Sequence, residues 1–345
     1  MNKLVPTTQA TAYCGIDVSA RSLAVALIQV DHTVTHREFA NSASGHRALL
    51  TWLARCDTRV RVSLEATGIY SLDLALALDA AGTVELAVLN PKLVNRFAQT
   101  LRRSKTDAAD AVVLAEYSQR MPFSRWQRPA ASHLGLRTMS RYIESLVVEQ
   151  AGLKNRLRSA ESTATTPRAV LADLRRALAA VERRVERMRG EALNLVETEV
   201  ELRERYQQLT TVPGIASVSA LRILSELVLL APGMTVRQWV ASSGLDPVHQ
   251  QSGTSLHKPS RISRAGNRHL RAALYMSALS ASRYDPHLAA FYRALRARHK
   301  TGLQALMAVA RKLLHAIYGI FKSGTPYDGR RLFPNIQAEV ELIAG

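Results

Sequence analysis

Apolar positions change period twice along the chain. In the first third they alternate in short runs separated by three-four spaced stretches. "AYCGIDVSARSLAVALIQV" predicts two strands joined by a turn near residues 19–22, and "TVTHREFAN" a third, antiparallel strand. "SGHRALLTWLARC" has helical spacing, with Ser44 a candidate N-cap. "VRVSLEA" alternates as a strand, "IYSLDLALALDAAG" is a helix stopped at Gly82, and "VELAVLN" is a strand ended by Pro91. "PKLVNRFAQ" and "DAADAVVLAEYSQR" are helical. Next come two long helices, on Leu136, Met139, Ile143, Leu146, Gln150, Leu153 and Leu157, then on Leu178, Val181, Val185, Met188, Ala192, Leu195, Glu199, Leu202, Tyr206 and Leu209. "SAESTATTP" is the loop between them. Such heptads predict a helical hairpin or a dimerising coiled coil, with Gln150 and Glu199 fixing register. From about residue 210 the pattern is helical to the end, with Pro213 and Gly214 between two helical segments.

Three antiparallel strands followed by helix, strand, helix, strand is the order of an RNase H-like (RuvC-like) fold. The fold class is therefore α/β plus all-α. Residues 12–130 form the α/β domain, 131–209 a long coiled-coil helical hairpin, and 210–330 a mainly helical domain. A chain of 345 residues, 47% hydrophobic, is long enough for several cores. Its formal charge is +18, unevenly spread: residues 211–345 hold 17 Lys and Arg against 6 Asp and Glu, a net +11. That places a polyanion-binding surface in the C-terminal third and points to nucleic acid. Cys14 and Cys56 are too few for a disulfide framework or a cysteine metal site. No apolar run approaches a membrane span and the N-terminus lacks a signal-peptide core, so a cytoplasmic protein without a membrane partner is expected.

Four acids carry the first candidate chemistry: Asp17 in "GIDVS", Glu65 in "SLEATG", and Asp107 with Asp110 in "KTDAADA". Singly each fits a cap or turn role. Together, two on strands and two on one helix face, they fit a pair of Mg²⁺ or Mn²⁺ ions clamping a phosphodiester, since hard cations take carboxylate oxygen. Lys105 is either a phosphate contact or a solvated lysine.

The stretch "SGLDPVHQQSGTSLHKPSRISRAGNRHLRAAL" is the second constellation. Residues 252–255 have loop composition. Lys258, Arg261, Arg264, Arg268 and Arg271 follow with no acid among them. Spacing places Arg264, Arg268 and Arg271 on one helix face suited to phosphates. Ser252 is either a turn residue or a nucleophile activated among cations. "VPGI" is either a tight helix connection or a helix–hairpin–helix offering N–H groups to phosphate.

In order, "GIDVS", "LEATGIY", "KTDAADA", "VPGIASVSA", "SGLDPVHQQSGTS" and "RISRAGNRHLRAALYMSA" resemble the insertion-sequence transposases that join a RuvC-like DEDD domain to a serine-bearing transposase domain, relatives of the Piv-type DNA invertases. The resemblance runs from about residue 12 to about 330. It implies a DEDD tetrad at Asp17, Glu65, Asp107 and Asp110 and a catalytic serine at Ser252, with Ser242 and Ser243 ranked below. It implies strand cleavage through a 5′-phosphoserine with Mg²⁺ assistance and exchange through a Holliday junction. The partners it implies are double-stranded target and donor DNA and a structured non-coding guide (bridge) RNA. It implies homodimers assembling into a homotetramer on the bacterial nucleoid. The competing expectation is a RuvC-like junction resolvase or nuclease acting by two-metal hydrolysis, with Ser252 a loop residue.

Overall fold

Burial alternates along the first strand and so fixes how the N-terminal sheet is covered. The computed structural model describes residues 11–66, 68, 70–101, 106–252 and 256–332, without the side chains of 249–252 and 256–260. Backbone contacts divide the chain into two units, 1–128 and 129–345.

The first unit is built on β1 (Thr11–Val18), β2 (Ser22–Ile28), β3 (Val34–Ala40), β4 (Arg59–Glu65) and β5 (Glu85–Leu89). Their order is β3-β2-β1-β4-β5, with β1, β2 and β3 antiparallel and β4 and β5 parallel to β1. This mixed sheet is compatible with an RNase H-like domain. Ala12, Cys14, Ile16 and Val18 of β1 join Val60, Val62 and Leu64 of β4 in one core. Leu49 and Leu53 of α1 (Ala43–Leu53) and Leu74, Ala75 and Leu78 of α2 (Leu72–Ala81) close it. Strand side chains alternate, so Gly15 and Asp17 of β1 and Ser63 and Glu65 of β4 face the other way.

That second face is covered by α4 (Asp107–Arg120), which follows α3 (Pro91–Leu101). Its approach requires glycine at 15. A Cβ there would sit 1.9 Å from the carbonyl oxygen of Ala111 and 2.4 Å from the amide nitrogen of Ala115. Gly15→Ala must therefore push helix and sheet apart. We expect a loss of about 3 kcal/mol, the upper range for overpacking a tight core, read as a lower urea midpoint for the first unit.

In the second unit α5 (Ala131–Glu161) and α6 (Arg168–Thr198) lie antiparallel against each other. Arg175 bonds Glu161 near the loop, and Gln150 and Lys154 bond Glu182 further down. Leu146, Leu153, Val181 and Val185 fill the seam within one chain. The second long helix is shorter than its heptads suggest. It ends at Thr198, Glu199 leaves helical geometry (φ −109°, ψ 115°), and α7 (Val200–Thr210) restarts it. A polar residue at a core position marks the break. The base of the helical pair shares a core with α7, α8 (Ser217–Leu227), α9 (Val236–Ser243), α10 (Arg268–Tyr284), α11 (Pro286–Ala297) and α12 (Gly302–Ser323), through Leu136, Ile143, Ala192, Val196, Leu224, Leu274, Leu288 and Leu313. In "VPGI", Val212 and Ile215 are buried in that core and Gly214 abuts Ala281. Among the described residues no helix is long and apolar enough to cross a membrane.

The region from 210 onward is not wholly helical. β6 (Pro247–Ser252) and β7 (Leu256–Ile262) form an antiparallel hairpin with a register shift between Val248 and Gln250. Ser252 thus closes a strand, paired with Leu256, instead of opening a loop.

Candidate functional site

The four acids occupy three elements of the first unit. Strands β1 and β4 run parallel with Ile16 opposite Leu64, and one further step of this register sets Asp17 beside Glu65. Neighbouring strands lie about 4.8 Å apart, and both side chains are half-buried. Asp107 and Asp110 form the first turn of α4, whose N-cap Thr106 accepts from the Ala109 amide at 3.2 Å. They stand one helical turn before Ala111 and Leu114, the residues that meet Gly15. Asp17 and Glu65 therefore lie on the sheet face that α4 covers, and Asp107 and Asp110 lie in the first turn of that helix.

The donor set suits a hard divalent cation: carboxylates alone, mounted on buried strands and a capped helix. Among the described residues, no three His, Cys, Asp or Glu side chains gather into a ready-made metal cage. Lys105 lies outside the described residues. Cys14, wholly buried in the neighbouring core, has its thiol pushed far up by that burial and is not a ligand candidate.

The loops that follow Asp17 and Glu65 are tied together. Asn41 Nδ2 donates to the carbonyls of Ser19 (2.8 Å) and Tyr70 (3.1 Å). Its Oδ1 must then accept from His46 Nε2, 2.8 Å away. His46 is buried, and this burial lowers its pKa against the opposing pull of Asp73, so the ring is a neutral donor. Ser42, not Ser44, caps α1, accepting from the Gly45 amide at 3.3 Å.

In the second unit the hairpin bearing Ser252 rises from a locked base. Ser263 Oγ donates to Asp246 at 2.5 Å, and the Ser263 amide donates to the Asp246 carbonyl at 2.9 Å. Below it two chain segments touch through glycines. A Cβ on Gly266 would stand 2.1 Å from the Ser242 carbonyl, and one on Gly244, at φ +68°, would stand 2.7 Å from the Gly266 amide. The Asn267 amide donates to the Ser242 carbonyl at 2.6 Å.

The basic residues sort differently from the expected helical stripe. Arg264 precedes α10 and has φ +52°, so it shares no helix face with Arg268. Arg268 is exposed in the first turn of α10. Arg271 points inward and donates to the Ser243 carbonyl at 2.9 Å, and burial and the neighbouring Arg264 charge lower its pKa. It braces the hairpin base through Nη1. Arg261 is exposed on β7; Lys258 lies on the same strand, its side chain outside the described residues.

Sequence reasoning missed Glu226. This carboxylate is 4% exposed and accepts from Arg141 (2.8 and 3.0 Å) and from Asn267 Nδ2 (2.5 Å). Asn267 also caps α10. Burial pushes the Glu226 pKa up, but the bonds from Arg141 and Asn267 and the charges of Arg141 and His269 outweigh it and hold it below the usual range. A depressed carboxyl contributes stability that is present above its unfolded pKa, about 4.3, and lost as pH falls through the folded value. We expect melting temperature to drop below that pH in the wild type and to depend less on acid in Glu226→Gln. Its signal was a Glu on the otherwise apolar face of "ALRILSEL".

Comparison with known proteins bears on both sites. Residues 14–160 match a transposase model named for the DEDD domain of IS110 elements, and residues 206–293 match the model described as "Transposase IS116/IS110/IS902 family". Each covers one constellation. The chain belongs to the IS110 transposase family. It is a DNA recombinase/transposase enzyme, and this family's DEDD domain generally uses divalent metal ions. The "Pilin gene-inverting protein" of Moraxella bovis is 27% identical over 324 residues, spanning 92% of this chain and 98% of that protein. Its Moraxella lacunata counterpart is 27% identical over 327 residues with the same coverage. An "Insertion element IS110 uncharacterized 43.6 kDa protein" of Streptomyces coelicolor is 33% identical over 136 residues, 39% of this chain and 32% of that protein.

Proposed function

We propose that this IS110-family transposase cuts and rejoins DNA through Ser252, with Mg²⁺ at the Asp17, Glu65, Asp107 and Asp110 carboxylates, on sites chosen by a structured non-coding RNA. The reading is supported by Asp17 and Glu65 on the sheet face that α4 covers, with Asp107 and Asp110 in the first turn of that helix. Relatives named for pilin gene inversion, matched over 98% of their length, support a reaction that rejoins what it cuts.

Ser252 Oγ attacks the scissile phosphorus as its proton leaves to a base. The P–O3′ bond breaks, and the departing O3′ takes up a proton. One phosphodiester is exchanged for a 5′-phosphoserine ester, so a free 3′-hydroxyl can reverse the step on another strand without an external energy source. The metal would supply charge neutralisation at the phosphate and its leaving oxygen. The locked base of β6–β7 holds the serine strand steady, and exposed Arg261 and Arg268 engage neighbouring phosphates. The C-terminal excess of cations supports binding both DNA and RNA.

The test uses the full chain, 3′-labelled element-end DNA and the RNA that co-purifies. We expect label trapped on protein in denaturing gels, only with divalent metal and that RNA present. Free labelled ends without protein-linked label would establish hydrolysis instead. Only random cellular RNA at every purification would overturn guidance.

A further inference from the structure

A groove of about 760 Å³ opens at the end of the sheet where β1 and β4 finish. Its walls are the turn after β1, the first turns of α1 and α2, and Tyr70 from the loop after Glu65. Open α/β sheets bind ligands at this carboxyl edge, and the volume lies in the range of ordinary ligand sites. Tyr70 is 50% exposed at the lip, an aromatic face held in place because its own carbonyl is gripped by Asn41. Arg47 is exposed on the rim. Behind them, His46 and Asn41 are fixed by their mutual bond.

We propose that this groove seats one unpaired nucleotide of the DNA strand being cut, its base stacked on Tyr70 and its phosphate met by Arg47. An aromatic face beside a cation is how proteins hold single-stranded bases without reading sequence. The adjoining turns come directly after Asp17 and Glu65. A nucleotide held here therefore lies at the carboxyl edge of the two strands that carry Asp17 and Glu65. The assignment to the cleaved DNA strand, rather than to RNA, rests on the reading of those acids as the cleavage site.

The full chain in EDTA, where no cleavage occurs, is titrated with a DNA duplex carrying a short gap and one 2-aminopurine opposite it. We expect tighter binding than to the fully paired duplex, with the fluorescence quenched. Tyr70→Ala should weaken binding roughly tenfold and remove the quench, while Tyr70→Phe keeps both. Arg47→Gln should lower the slope of log affinity against log salt by about 0.7. Equal binding of gapped and paired duplexes, or an unchanged quench in Tyr70→Ala, would overturn the proposal. So would a same-sequence RNA gap strand that binds more tightly than DNA. Protein-linked label in Mg²⁺ is read separately: its absence with the quench intact counts against the cleavage reading and leaves the groove standing.

Discussion

A Ser252→Ala variant should yield no protein-linked DNA and should recombine roughly 10⁴-fold less than wild type or worse, the scale of removing the nucleophile from an organised site. The change deletes one oxygen at the end of β6, so melting temperature should stay within about a degree. The nearby serines provide the contrast. Ser243 is fully buried and donates from Oγ to the Val240 carbonyl at 2.7 Å. Ser243→Ala should cost about 1 kcal/mol of stability and leave adducts forming. Ser242 contributes its carbonyl, which holds the Asn267 amide, so its side chain is dispensable to that bond. Denaturing gels on all three variants, beside thermal melts, check the assignment. Adducts that persist in Ser252→Ala sink it, and adducts lost in Ser243→Ala at unchanged stability would move the nucleophile there.

The N-terminal unit was legible because burial there obeys strand alternation. Ile16, Val18, Val62 and Leu64 point into one core, which by default turns Asp17 and Glu65 to the other face. Gly15, within an apolar strand, carried a readable sign of close approach. The β6–β7 hairpin left no such signal. Its sequence, "PVHQQS" and "LHKPSRI", is polar, holds two prolines and lacks alternation. What makes it strand is the clasp at its base, Ser263 on Asp246 and Gly244 against Gly266, formed by residues distant in sequence. The helical stripe of Arg264, Arg268 and Arg271 failed for a related reason. Spacing alone counted Arg264 into the helix, whereas Asn267, a strong N-cap type, starts it at Arg268. Register in the helical pair was half legible: Gln150 does bond across the seam to Glu182, but Glu199 interrupts a helix instead of pairing within one.

The acids make the last prediction. Asp17→Asn and Asp107→Asn should each reduce metal-dependent cleavage by about 10² to 10⁴-fold, since each removes a ligand charge from a site that works by holding cations against a phosphate. Structural roles would predict the opposite balance, with stability lost and residual activity kept. Asp17 and Glu65 sit on adjacent parallel strands, whose spacing of about 4.8 Å lets one divalent ion meet both carboxylates. Ligand binding stabilises in proportion to log concentration above Kd, so Mg²⁺ should raise the wild-type melting temperature and shift both variants less. Melts over a Mg²⁺ series read this without any turnover. Unchanged recombination in both variants, or equal Mg²⁺ shifts in all three proteins, would refute a metal site at these carboxylates.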